Sequence, residues 1–172
     1  MACDGPAYRD QLIDWGVAPD RMVIGGSLRI GRPTGNAYDA DGPVFVALSA
    51  RRGIARQQMA AVETAAGQGF SFLVKDHPMY PMDIPETDAI RRARGTVAEQ
   101  SSLSAVFYST GTSGLEALMA GLPTFRLLPE DEIAVDVLPD FATAVAVTAG
   151  ELAEALGSAA KPRPLPWADV LA

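Results

Sequence analysis

The residues best suited to chemistry lie in one short stretch, where hydroxyl side chains surround a glycine just before a run of helix-forming residues. The four hydroxyls belong to Ser109, Thr110, Thr112 and Ser113, and the glycine is Gly111. A turn of this composition at a helix start offers free backbone N–H groups, and the helix dipole there favours negative charge. The stretch therefore predicts a site for a phosphate group.

Glu116, which follows this turn, supports two interpretations. Ser113 and Glu116 have the spacing of a capping box, in which the carboxylate returns to the first amides of its own helix. Alternatively, the carboxylate is free to accept hydrogen bonds from the hydroxyl groups of a bound ligand. The local pattern leaves both interpretations open.

Basic side chains follow two earlier apolar runs. Arg51 and Arg52 come after the run 43–49, and Lys75 and His77 come after the run 70–74. Cationic groups and an imidazole would suit a bound phosphate. The plainer interpretations, solvated arginines on a surface loop and a histidine hydrogen-bonded near the surface, also remain open.

The elements that must position these residues alternate between strand and helix patterns with short connections. This alternation predicts an α/β, Rossmann-like fold with a mostly parallel sheet and helices on both faces. The predicted strands of this sheet are 44–48, 70–74, 105–108 and 124–127. Because the carboxyl ends of parallel strands face one crevice, we expect the three polar groups to converge there.

The remaining segments complete a single domain over residues 1–172. Before the sheet we expect a helix at 8–15, a strand at 22–26 and a loop at 31–42, and after the first sheet strand a helix at 54–66. Further on we expect a strand or helical turn at 88–94, a helix at 96–102, a solvated acidic loop at 129–140, a strand at 144–147 and a helix capped by Thr148 and Glu151. The proline-rich tail from Lys161 should pack either along the domain or toward a neighbouring domain that this chain lacks.

Composition excludes several classes of function. The net charge of -7 argues against a nucleic-acid partner, which would require a broad basic face. With one cysteine and one histidine, a disulfide framework, a Cys/His zinc site and a Cys-His dyad are hard to build, whereas an Asp/Glu site for a hard cation stays open. No run is long and apolar enough for a membrane span and no signal peptide is evident, so we expect a cytoplasmic protein.

Two motifs carry a resemblance to a known family. Lys-x-His-Pro at 75–78 and Ser-Thr-Gly-Thr-Ser-Gly-x-Glu-Ala-x-x-x-Gly-x-Pro at 109–123 resemble the C-terminal, donor-binding domain of GT-B glycosyltransferases. Bacterial surface and capsular polysaccharide glycosyltransferases and sialyl- or polysialyltransferase-like enzymes are the most similar, and the segment 8–29 also looks like the entry to such a domain.

The resemblance implies a nucleotide-sugar donor, CMP-, CDP- or UDP-linked, with no separate cofactor and no metal. It implies that His77 and the turn Ser109, Thr110, Gly111, Thr112 and Ser113 contact the donor phosphate and that Glu116 binds ribose. Arg51, Lys75 and His77 would stabilise the leaving phosphate, and Arg52 would join Arg51 at the nucleotide.

The resemblance also implies that this chain is the C-terminal part of a longer two-domain protein. The acceptor site and catalytic base would lie on an N-terminal domain, so we expect the chain alone to bind the donor without transferring sugar. The full-length enzyme would be cytoplasmic, with a peripheral association at the inner membrane. A sugar-nucleotide 2-epimerase-like domain and a non-catalytic nucleotide-binding or interaction domain remain alternatives.

Overall fold

A computed structural model describes residues 1–27, 30 and 37–171 of the 172-residue chain. The strands are β1 Ala2–Cys3, β2 Val23–Ile24, β3 Ala37–Tyr38, β4 Val44–Ala47, β5 Phe72–Lys75, β6 Ile90–Arg92, β7 Ser102–Leu103, β8 Ala105–Tyr108, β9 Thr124–Leu127 and β10 Val145–Val147. The α-helices are α1 Pro6–Asp14, α2 Arg52–Ala66, α3 Ser113–Ala120, α4 Leu152–Gly157 and α5 Trp167–Val170. Short 3-10 helices span Pro19–Arg21 and Val97–Glu99.

Six parallel strands form the main sheet in the order β10-β9-β8-β4-β5-β6. In chain order, and starting from β6, this is the 3-2-1-4-5-6 arrangement of a doubly wound sheet. The order reverses between β4 and β8, which pair directly from Val44↔Ala105 to Val46↔Phe107. The α/β fold with a parallel sheet, predicted from the strand and helix alternation, is confirmed.

The central strands are short apolar runs because helices cover both of their faces. Side chains alternate along each strand, so Val46 and Phe107 pack with α2 and α4 on one face. Phe45 and Val106 pack on the other face against Ala117 of α3. The ends of the strands are the places where polar residues can accumulate.

The close approach of β8 and α3 depends on Gly114. Tyr108, the last residue of β8, is fully buried, and its ring lies against the first turn of α3. A Cβ atom on Gly114 would lie 2.3–2.7 Å from three carbons of that ring. The helix ends at Gly121, whose φ of 71° is left-handed, as expected for a helix C-terminus.

Two small parallel sheets and the tail complete the domain. β1 pairs with β2, and β3 pairs with β7. Of the two alternatives for the tail, packing along the domain is the one observed. The backbone N–H of Leu165 donates to the carbonyl of Leu118 at 3.0 Å, and Val170 and Leu171 are buried with Leu115 of α3.

Several predicted boundaries differ from the structure. α2 begins at Arg52 rather than at residue 54. For the segment 88–94, predicted as a strand or a helical turn, the strand is the alternative that forms, as β6 Ile90–Arg92. The predicted loop 31–42 is wrong at Ala37–Tyr38, which forms β3, and residues 31–36 lie outside the described residues. The last two residues of the family-like segment 8–29 also lie outside them.

The predicted helix at 96–102 is wrong beyond its first turn. The capping box of Thr96 and Glu99 starts a 3-10 helix, as a capping box should. The side chain of Gln100 then donates to the carbonyls of Arg94 and Thr96, and Ser102 pairs with β3. Within the part of the chain that the structure describes, no helix combines the length and apolarity needed to cross a membrane.

We predict that Gly114→Ala lowers the free energy of unfolding by about 1–3 kcal/mol, because the new methyl group overlaps the ring of Tyr108. Urea unfolding followed by circular dichroism measures this change. Gly157→Ala is the control, since a Cβ at this position in α4 meets nothing within 4 Å and alanine suits a helix. Equal stability of both variants would contradict the packing role of Gly114.

Candidate functional site

A cleft of about 380 Å³ opens at the carboxyl edge of the sheet, between the ends of β4, β5 and β8. This is the point where the strand order reverses, the usual ligand site in a doubly wound sheet. Of the candidate site residues predicted from the sequence, those that line the cleft are Lys75, His77, Thr110, Gly111, Thr112, Ser113 and Glu116. The expected convergence therefore holds for the groups that follow β5 and β8.

The turn between β8 and α3 presents free backbone donors. Gly111 has a φ of 105°, and the position of a Cβ on it has no heavy atom within 4 Å. The first helical bond of α3 runs from the N–H of Glu116 to the carbonyl of Thr112 at 3.0 Å. Among the described residues, the N–H groups of Thr112, Ser113 and Gly114 have no hydrogen-bond acceptor, so together with the helix dipole they favour an anion.

The structure does not form the capping box of Ser113 and Glu116. Thr112 occupies the N-cap position without a side-chain capping bond, and Ser113 is already the first helical residue. The carboxylate of Glu116 instead accepts a long hydrogen bond of 3.4 Å from the hydroxyl of Thr112. Glu116 therefore has carboxylate capacity left for a ligand in the cleft.

Burial raises the pKa of the Glu116 carboxyl above its ordinary value. The hydrogen bond from Thr112 and the charge of Lys75 act in the opposite direction, and the charge of Glu99 adds to the increase. Glu99 itself has a lowered pKa, because the backbone and hydroxyl of Thr96 donate to it and Lys75 is near. Lys75 thus acts electrostatically on both carboxyl groups.

His77 is held with one ring nitrogen occupied. The backbone N–H of Met79 donates to Nδ1 at 3.3 Å, so in this arrangement Nδ1 is unprotonated and Nε2 carries the proton. The N–H of Tyr80 donates to the carbonyl of His77 at 2.9 Å, and the two rings lie 5.8 Å apart. The Nε2–H group is the donor that His77 can offer to an anion.

Three expected site residues lie outside the cleft. Arg51 forms an ion pair with Glu132 at 3.1 Å, and it also donates to the carbonyl of Ile133 at 2.8 Å. Arg52, the first residue of α2, lines a separate cavity with Arg56. Ser109 is fully buried and donates to the carbonyl of Leu127 at 3.3 Å. The expectation that Arg51 and Arg52 converge with the other groups is therefore wrong. Arg51 is bound by the acidic loop 129–140, and Arg52 lies at a different cavity.

The acidic loop 129–140 is anchored to the sheet rather than simply solvated. Asp136 accepts hydrogen bonds of 3.2 and 3.3 Å from the hydroxyl of Tyr108 and pairs with Arg126 at 3.3 Å. Arg126 also donates to the carbonyl of Ala134 at 2.6 Å. Burial, and then the charge of Asp136, raise the pKa of Tyr108. The anchored loop brings Val137 to the wall of the cleft.

Sequence reasoning missed Thr96, Val97 and Val137 as lining residues. The Thr96-x-x-Glu99 capping box was a signal that a short helix begins beside the cleft. Arg126, an arginine inside the apolar run of β9, was a signal that an acidic partner must lie nearby.

No match was found for this chain among models of protein families or among curated proteins. Among the residues that the structure describes, no group of three His, Cys, Asp or Glu side chains is arranged to hold a metal ion.

We predict that Glu116→Gln raises the free energy of unfolding at pH 7. The raised pKa means that the folded state favours the protonated carboxyl. The stability that this preference contributes is present at low pH and is lost as the pH rises from about 4.5 through the folded-state pKa. Glutamine stays neutral, and wild type and variant should converge below that range. Urea unfolding at several pH values measures the difference.

Glu151→Gln is the control of opposite sign. Hydrogen bonds from the backbone N–H and hydroxyl of Thr148 lower the pKa of Glu151, so its contribution is present at neutral pH and is lost as the pH falls. This variant should therefore lose stability at pH 7. A Glu116→Gln variant no more stable than wild type at pH 7 would show that burial of the carboxylate has no cost.

Proposed function

We propose that this domain binds the nucleotide of a nucleotide-sugar donor and serves as the donor-binding part of a GT-B-like glycosyltransferase of bacterial surface polysaccharide synthesis, acting in the cytoplasm. One observation carries the proposal. The turn 110–113, His77, Lys75 and Glu116 line a single cleft at the reversal point of a doubly wound sheet. These are also the residues on which the resemblance to that family depends.

The turn and His77 supply the phosphate contacts in this proposal. The free N–H groups of Thr112, Ser113 and Gly114 accommodate phosphate oxygens at the positive end of α3. The Nε2–H of His77 donates a further hydrogen bond, and Lys75 neutralises part of the charge. Hydrogen bonds to an ionised phosphate are stronger than those between neutral groups.

Glu116 supplies the contact to ribose. Its carboxylate lies in the cleft and receives one long bond from Thr112, which leaves oxygen lone pairs for two neighbouring hydroxyl groups of a sugar. The cleft volume of about 380 Å³ falls within the usual range of small-molecule sites. A nucleotide therefore suits the cleft in size as well as in polarity.

The charge of the cleft favours donors with few phosphates. Of the side chains that line it, Lys75 is the cation, whereas Asp76 is paired with Arg92 at 2.6 Å and Glu116 is acidic. Arg51 is engaged by Glu132 and is no longer among the residues we propose for the leaving phosphate. Lys75 and His77 keep that role, and the base that deprotonates the acceptor is proposed to come from another domain.

We predict that nucleoside monophosphates bind at least as tightly as diphosphates. We also predict that His77→Ala weakens monophosphate binding about ten- to a hundredfold, because the substitution removes a hydrogen bond to a charged group. Isothermal titration of cytidine and uridine mono- and diphosphates provides the measurement. Arg52→Ala is the control, because Arg52 lines a different cavity. Sugar transfer by this chain alone is not expected.

The outcomes separate the proposal from its alternatives. Absence of binding by every nucleotide in the panel would exclude the donor-binding role and leave an interaction domain. Loss of affinity in Arg52→Ala but not in His77→Ala would move the nucleotide to the other cavity. Release of free sugar from a nucleotide sugar without an acceptor would favour an epimerase.

A further inference from the structure

A fully buried glutamine fixes the end of β4. Gln58 lies on α2, and its side chain is inaccessible to solvent. Its amide nitrogen donates to the carbonyl of Ala47 at 3.0 Å, and its amide oxygen accepts the N–H of Ser49 at 2.8 Å. These two bonds hold the backbone at the point where β4 leaves the sheet. Both polar atoms of this buried amide are therefore satisfied at one place in the chain.

Ser49 links this fixed backbone to the turn that follows β8. Its side-chain oxygen lies 3.2 Å from the hydroxyl oxygen of Thr110, and it also accepts the N–H of Arg51 at 3.2 Å. Ser49 is buried and does not line the cleft, whereas Thr110 does. Thr110 is therefore the hydrogen-bonded side chain through which Ser49 can influence a ligand in the cleft.

The position of this link gives it a specific consequence. Backbone pairing of β4 with β8 ends at Val46 and Phe107. Beyond these residues the two segments of the chain separate and form the crevice. The bond between Ser49 and Thr110 joins them again directly before Gly111, which has positive φ and intrinsically wide backbone freedom. A fixed Thr110 restricts where the turn's free N–H groups can lie.

We infer that Ser49, held by Gln58, is a positioning residue for the anion-binding turn. It fixes Thr110 from the opposite side of the crevice, so that the N–H groups of the turn are arranged before a ligand arrives. Its effect on phosphate binding rests on the proposed function. Its effect on the rigidity of the turn does not.

Rigidity is tested with Ser49→Ala by backbone ¹⁵N relaxation of the full chain. We expect order parameters at residues 110–113 to fall from about 0.85, typical of rigid backbone, towards about 0.6. Thr124→Ala is the matched control, because it also removes a buried side-chain bond, the 2.8 Å bond to the carbonyl of Leu122, but at the opposite edge of the sheet. Unchanged order parameters in Ser49→Ala would overturn the inference, whether or not nucleotides bind.

Ligand binding is tested with cytidine and uridine and their 5′-monophosphates. Ser49→Ala should weaken monophosphate binding about three- to tenfold, the effect of one ordinary hydrogen bond, and leave the unphosphorylated nucleosides unchanged. A general structural defect would weaken both classes alike. In a Thr110→Val background, which removes the partner hydroxyl, Ser49→Ala should add little, whereas additive effects would show that Ser49 does not act through Thr110. Failure of the wild type to bind any of these ligands would remove the proposed function and leave the relaxation measurement to decide the inference.

Discussion

The direct pairing of β4 with β8 is the constraint on which the rest of the molecule depends. These strands are neighbours in space but lie in different halves of the sheet, so the chain must leave them in opposite directions across the two faces. α2 therefore covers one face and α3 the other, and a crevice opens between their first turns. Every group proposed to contact a ligand borders this crevice.

The interior supports this arrangement through both apolar and polar contacts. The central strands are buried on both faces, but β4 and β8 no longer pair with each other beyond Val46 and Phe107. Polar side chains complete the structure at these ends. Gln58 satisfies the end of β4, and Arg126 donates to the carbonyl of Ser109 at 3.2 Å beside the end of β8. Such buried polar networks cost stability unless they are fully satisfied, and here each group has a partner that holds the edge of the cleft.

Local patterns predicted much of this fold, and long-range pairing limited the rest. Apolar runs predicted the strands, and the hydroxyl-rich turn and Gly121 predicted the start and the end of α3. Each of these signals lies within a few residues of the chain, and the corresponding strands and helix are present. The position of Arg51 depended on the acidic loop, whose Ile133 lies 82 residues further along the chain. No local pattern shows which of several acidic residues an arginine will meet. The same reason explains why the acidic loop was expected to be solvated, since its anchor Tyr108 lies 28 residues before Asp136.

Glu116 lies in the cleft without the capping role that its spacing allows. From its spacing, an acidic residue at this place needed no ligand, because a capping box would explain it. The structure removes that explanation: Thr112 is the N-cap, and the carboxylate is half-buried with a raised pKa, which is a cost to the folded state. The positive end of α3 stabilises the carboxylate and offsets part of this cost. An exposed carboxylate near the same helix end would gain the same stabilisation without being buried. A carboxylate kept in a cleft at the expense of stability is typical of a group that serves a bound ligand, and this supports a hydroxyl-bearing ligand beside the anion-binding turn.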